Sequence, residues 1–123
     1  MKENYEGKFE ISEKPNKKGK FEVASKSRVC VINKQLKQLT NNLFEFTIIN
    51  WDFNCDNCPS LTSLEGSPRM IKGNFSCSGC NKLKSLEGAP KKVGGFFNCR
   101  DCGVQFTNDD VKKVSKVKKF ITV

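Results

Sequence analysis

The chain has 123 residues, 37% of them hydrophobic and 28% charged, enough for one compact domain with a modest core. Lys and Arg number 22 against 13 Asp and Glu, a formal net charge of +9, so an acidic partner is expected: nucleic acid, a nucleoprotein or an acidic protein surface. The absence of histidine removes the commonest general base, the Ser-His and Cys-His nucleophile pairs and histidine metal sites, and no apolar run is long enough to span a membrane.

Residues 1–6 are polar, read as a loose tail, and have no secretory apolar segment behind them. Together with seven cysteines, an odd number, this predicts reduced thiols and a cytoplasmic location. Alternation of apolar and polar residues around Phe9 and Ile11, and again around Phe21 and Val23, predicts two short strands. Pro15, Asn16 and Gly19 make the segment between them an exposed turn. Lys14, Lys17, Lys18 and Lys20 crowd its tip; they read as a solvated loop end and as the hairpin's candidate nucleic-acid contacts. Residues 1–27 are thus a tail and a β-hairpin cap.

Residues 28–50 read as a degenerate first coil. Arg28 to Asn33 is a strand, Leu36 and Leu39 echo Leu61 and Leu64 at an offset of 25, and Cys30 echoes Cys55 at the same offset, which implies a three-residue insertion. The apolar stretch from Leu43 to Trp51 forms the back of that coil, and Trp51 fills the junction.

Residues 51–106 repeat. Phe53, Cys55 and Cys58 return 22 residues later as Phe75, Cys77 and Cys80, and again as Phe97, Cys99 and Cys102. Leu61, Leu64, Gly66 and Pro68 return as Leu83, Leu86, Gly88 and Pro90. A fixed period of this size predicts a β-rich solenoid whose stacked coils form inward columns of Phe and Cys. Residues 107–123 form a terminal cap. Thr107 is an N-cap followed by Asp109 and Asp110, the apolar stripe Val111, Val114 and Val117 faces the core of a short helix, and Phe120 to Val123 is a last strand.

If Phe53 and Cys55 face inward, their neighbours face out. The outward columns are then Asp52, Asn74 and Phe96; Asn54, Ser76 and Asn98; and Asp56, Ser78 and Arg100. These are the candidate partner-binding residues, together with the cap lysines Lys112, Lys113, Lys116, Lys118 and Lys119. Lysine without arginine suits diffuse phosphate contact more than base readout.

The cysteines admit a second chemistry. The Cys55–Cys58 and Cys77–Cys80 pairs are separated by 18 residues, a spacing used by four-cysteine zinc sites. The period offers a rival account, since each pair recurs at the same coil position with the apolar columns in step. Structural cysteines with no cofactor are the expectation, and zinc on Cys55, Cys58, Cys77 and Cys80 is the alternative.

The coils resemble leucine-rich repeats of a cysteine-containing type. More narrowly, the phrase from Ser85 to Cys99, the closing segment from Val104 to Val123 and the segment from Val29 to Leu39 are similar to small repeat proteins encoded by tailed bacteriophages. The resemblance covers roughly residues 28–123. It implies a leucine-rich-repeat-like fold and a phage or prophage origin, and it implies no activity. Longer members of that group carry many repeats, usually with Asn where Cys58 and Cys80 stand here. So short a stack offers little concave surface, which shifts the expected interface toward the hairpin or the C-terminal cap. The expected function is a non-catalytic protein-interaction module that binds a host protein or ribonucleoprotein in the host cytoplasm and alters its activity, with a counter-defence role such as blocking a CRISPR effector. Sequence-nonspecific nucleic-acid binding through the lysine-rich ends, and a zinc-stabilised module, are the alternatives. No paired acid and base points to an enzyme.

Overall fold

The structure is a computed structural model that describes residues 2–40 and 43–123. Met1, at the head of the expected tail, and residues 41 and 42, inside the expected first coil, lie outside the described residues.

Among the described residues, twelve short strands and one helix follow in chain order. They are β1 (Tyr5–Glu6), β2 (Phe9–Ile11), β3 (Phe21–Ser25), β4 (Val29–Val31), β5 (Phe44–Ile49), β6 (Phe53–Asn54), β7 (Met70–Ile71), β8 (Phe75–Ser76), β9 (Lys92–Val93), β10 (Phe97–Asn98), α1 (Asn108–Val114), β11 (Lys116–Val117) and β12 (Ile121–Thr122). They build a β-solenoid of about four turns with two six-stranded sheets. Sheet I runs β1-β4-β6-β8-β10-β12, and sheet II runs β11-β9-β7-β5-β3-β2. Every neighbouring pair is parallel except β1 with β4 and β2 with β3, where the N-terminal segment doubles back to finish the stack. The return side of each regular coil is therefore a second strand, not a helix. Pro68 and Pro90, both buried, lie on that return side, where proline disfavours helix.

The repeat works because no single coil can bury its own aromatic ring. Phe53, Phe75 and Phe97 are fully buried and form one column, with ring centroids 6.1 Å and 5.0 Å apart. Beside them, Leu61 over Leu83 and Ile71 over Val93 form parallel aliphatic columns. Phe46, Phe44 and Tyr5 extend the aromatic column into the N-terminal end through edge-on contacts. Two tight turns recur with the period. Gly66 and Gly88 both take a left-handed φ, and a Cβ on Gly88 would lie 2.6 Å from the backbone nitrogen of Glu65. Asn57, Gly79 and Asp101 hold a second left-handed position, one that Asn and Asp tolerate better than other side chains.

Three expectations are corrected. The N-terminal segment is not a loose tail throughout: Tyr5 is buried in β1, and its hydroxyl donates to the Leu39 carbonyl at 2.5 Å. Cys30 does not occupy the place of Cys55. Val29 pairs with Phe53 and Cys30 with Asn54, so the strand offset is 24 and buried Val31 takes the inward place of Cys55. The alternation of faces decides this, because a one-residue slip would turn Val29 and Val31 outward. The offset of 25 holds only further on, where Leu39 and Leu64 are both buried. Finally, α1 ends at Val114. Ser115 is its C-cap, and Lys116 and Val117 belong to β11 rather than to the helix. The expected N-cap is present: the Thr107 hydroxyl accepts from the Asp110 N–H at 3.2 Å, and the Asp110 carboxylate accepts from the Thr107 N–H at 2.8 Å. The Thr107 backbone N–H, with the Thr107 hydroxyl beside it, holds the Asp110 carboxyl below its ordinary range.

Candidate functional site

The outward residues of sheet I are tied to one another. One carboxylate oxygen of Asp52 accepts the Asn74 N–H at 2.8 Å, and the Asn74 side-chain oxygen accepts the Phe96 N–H at 2.9 Å, so each coil caps a backbone donor of the next. Asp56 accepts from the Asn54 amide, from the Ser76 hydroxyl and from the Ser78 N–H. Asn98 accepts the Arg100 N–H at 3.1 Å. Ser76 is buried and the Arg100 side chain is exposed. The front columns proposed as a partner surface thus act first as a polar ladder holding the coils in register. Replacing Asp56 with Ala is expected to cost about 1–3 kcal/mol of stability, because it leaves the Ser78 N–H and the Ser76 hydroxyl without their acceptor. Urea denaturation of Asp56→Ala and Asp56→Asn checks this; an unchanged midpoint for the Ala variant would return Asp56 to the partner-binding set.

The cysteine columns are likewise internal. The Cys55 thiol donates to the Ser76 carbonyl, Cys80 to the Cys55 carbonyl and Cys102 to the Cys77 carbonyl. Burial pushes the Cys55 thiol well up, and burial together with the neighbouring Cys102 pushes Cys99 up to about 12. A side-chain hydrogen bond between Cys58 and Cys80 lowers the first and raises the second. Among the described residues no three Cys, Asp or Glu groups converge as a metal site would need. The four cysteines of the zinc alternative, Cys55, Cys58, Cys77 and Cys80, are all buried. Cys55 and Cys77 occupy one inward column, Cys58 and Cys80 another, and the 18-residue spacing is a by-product of the 22-residue repeat.

The candidate lysines fall into two groups at opposite ends of sheet II. Lys14, Lys17 and Lys18 are exposed around the β2–β3 hairpin tip, and Lys20 is partly buried there. Lys18 lies 3.7 Å from Glu45. Between the two groups, Glu22 is paired with Arg69 at 3.5 Å. Beyond Arg69 the exposed face changes character. Lys92 on β9 and Lys116 on β11 are directly opposite one another in the parallel ladder. With Lys72 and Lys118 they rim a shallow groove floored by Met70, Ile71, Val93, Gly94 and Val117. Lys91 and Arg69 continue it toward exposed Ile48. Among the described residues none of Lys72, Lys91, Lys92, Lys116 and Lys118 forms an ion pair. Of the expected cap lysines, Lys116 and Lys118 join this groove, Lys112 and Lys113 sit on α1 beside it, and Lys119 follows at the corner between the sheets.

That corner carries three exposed or half-exposed aromatics. Trp51 does not fill the junction; it is 63% exposed. Phe96 is half-buried because Phe120 stacks on it at 5.3 Å with the rings 16° apart, and Phe120 itself is 60% exposed. The sequence reading missed Lys72, Lys91, Lys92 and Phe120 as surface candidates. For the lysines the signal available was the recurrence of Ile71 as Val93, which turns the residues on either side of each outward.

Neither a protein-family model, nor a curated protein, nor a solved structure matches the chain. No helix among the described residues is long and apolar enough to cross a membrane.

Proposed function

We propose that the chain is a non-catalytic interaction module that docks through the lysine groove of sheet II on an anionic macromolecular surface, that of a host ribonucleoprotein, and alters its activity. The observation that carries the reading is the groove itself: Lys72, Lys92, Lys116 and Lys118 stand together with no carboxylate partner among the described residues. Like charges held side by side raise the local positive potential and favour an external counter-charge. The front face supports the same choice by default, since its polar side chains are already engaged in the inter-coil ladder. The resemblance to tailed-phage repeat proteins supplies the setting, a bacterial host cytoplasm, and with it a counter-defence role such as inhibition of a nucleic-acid-guided effector. A non-catalytic role accords with the lack of histidine and with an Asp56 carboxylate already occupied by structural donors.

The test is capture from bacterial lysate with tagged protein, comparing the natural chain with a Lys92→Glu, Lys116→Glu double variant. A defined partner held by the natural chain and lost by a folded double variant is expected. Equal capture by both would move the interface off sheet II.

A further inference from the structure

We infer that the corner between the two sheets is a stacking site for single-stranded nucleic acid. The inference rests on the lysine-groove reading and names the chemistry of its partner.

Three residues turn the chain from sheet II into sheet I in each coil. The middle position of this turn forms a column in which each N–H donates to the carbonyl one coil back: Gly73 to Trp51, Gly95 to Gly73, and Lys119 to Gly95. Only the first and last members of the column carry side chains. The glycines are required by the close approach of successive coils, since a Cβ on Gly73 would meet the Asp52 carboxylate and the Trp51 backbone. Their consequence for the surface is that no side chain of this column stands between the exposed indole of Trp51 and the ammonium of Lys119. On the sheet I side the corner is flanked by Phe96 with Phe120 stacked on it. On the sheet II side it is flanked by Lys72, Gly94 and Lys118, three members of the groove already described.

Trp51 in this column, and Phe96 and Phe120 in the next, thus stand beside the column that holds Lys72 and Lys118, and all three columns run along the solenoid axis. Coils rise by about 4.8 Å each, so Trp51 and Phe96, two coils apart, are separated by about 10 Å along that axis. Such an arrangement matches what a single strand offers: bases with two π-faces each, and a phosphate chain beside them. An acidic protein surface would use the lysines and leave Trp51 and Phe120 idle. A duplex presents its phosphates but keeps its bases stacked on one another. The observations therefore favour an unpaired strand, with bases on Trp51 and Phe120 and phosphates on Lys72, Lys118 and Lys119 and along the groove on Lys92. The lysines lack the planar fork of arginine, so contact without sequence preference is expected.

Trp51 is the single tryptophan of the chain and reports directly on its own site. Intrinsic fluorescence is titrated with a short oligouridylate, the matching duplex, heparin and polyglutamate, at low and moderate salt. The expected result is saturable quenching by the oligouridylate that weakens as salt rises, with little quenching by the duplex. In anisotropy with labelled oligouridylate, Phe120→Ala and Trp51→Ala each lose about ten-fold or more in affinity, the scale of one base–aromatic stack. Both residues are largely exposed, so both variants keep the fold. If heparin and oligouridylate bind alike, without quenching and without effect of either variant, the stacking site is overturned while the lysine-groove reading stands. Preferred binding of polyglutamate also overturns it and points to an acidic protein. If no polyanion binds at low salt, the lysine-groove reading itself falls.

Discussion

Replacing Phe75 with Ala should remove about 3–5 kcal/mol of stability, the range for deleting a large buried aromatic side chain. Phe75 is the middle ring of the column. It lies 6.1 Å from Phe53, nearly parallel to it, and 5.0 Å from Phe97 at 53°, and all three rings are fully buried. The upper end of the range is expected because the cavity cannot collapse. The spacing of the coils is fixed by the backbone ladders β6–β8 and β8–β10, and the Phe75 N–H donates to the Phe96 carbonyl at 3.0 Å. Against a total stability of about 5–15 kcal/mol for a domain, this is a large fraction. Urea unfolding followed by far-ultraviolet circular dichroism should show the midpoint falling sharply. Because each coil touches only its neighbours, the transition should also lose cooperativity, with one end of the stack melting before the other. Phe120→Ala, at an exposed ring, should stay within about 0.5 kcal/mol of the natural chain. A loss under about 1 kcal/mol for Phe75→Ala would mean that the coils can slide together.

Much of this architecture is legible in the sequence because it is periodic. The inward columns of Phe and Cys repeat through three coils and those of Leu through two, and the burial of Phe53, Phe75 and Phe97 follows from alternation and period alone. The N-cap at Thr107 is legible for a local reason, a hydroxyl and a carboxylate three residues apart. What escapes is what repeats in shape but not in residue type. Around the groove sheet II consists of two-residue strands, Met70–Ile71 and Lys92–Val93, too short to show alternation, so the lysines around them look scattered along the chain. The period alone would have aligned Met70 with Lys92, but Lys116 lies 24 residues on, beyond α1, and only the pairing of β9 with β11 brings it into the column. The front face misleads in the other direction. Asp52, Asn74 and Asp56 read as free polar side chains, yet each accepts a backbone N–H of the next coil, and no one-dimensional pattern marks an acceptor as engaged. Tyr5 is hidden in the same way, since its burial depends on an antiparallel partner, Val31, reached through a segment with no repeat.

The lysine groove leads to a prediction in which stability and binding move in opposite directions. Lys92 and Lys116 are directly opposite in the β9–β11 ladder, and like charges so placed destabilise a sheet. Neither has a carboxylate partner among the described residues. A single Lys92→Glu change converts a repulsive cross-strand pair into an attractive one and should raise stability by about 0.2–1 kcal/mol. The same change should weaken binding to an anionic partner, and it should do so through the electrostatic share of the affinity. For a single strand the logarithm of the binding constant falls with the logarithm of salt concentration by about 0.7 per neutralised phosphate, so loss of one contact should flatten that slope by about that amount. Thermal melting of Lys92→Glu beside a salt series of oligouridylate binding measures both effects on one variant. Higher melting with a flatter salt slope would identify the Lys92–Lys116 pair as a site kept for an external counter-charge at a cost to the fold, the trade expected of a functional surface. Higher melting with unchanged binding would leave the pair as a solvated accident of the repeat and move the contact to the lysines of α1. A lower melting point would mean that Lys92 has a favourable role within the fold itself, and that its charge is not held there for a partner.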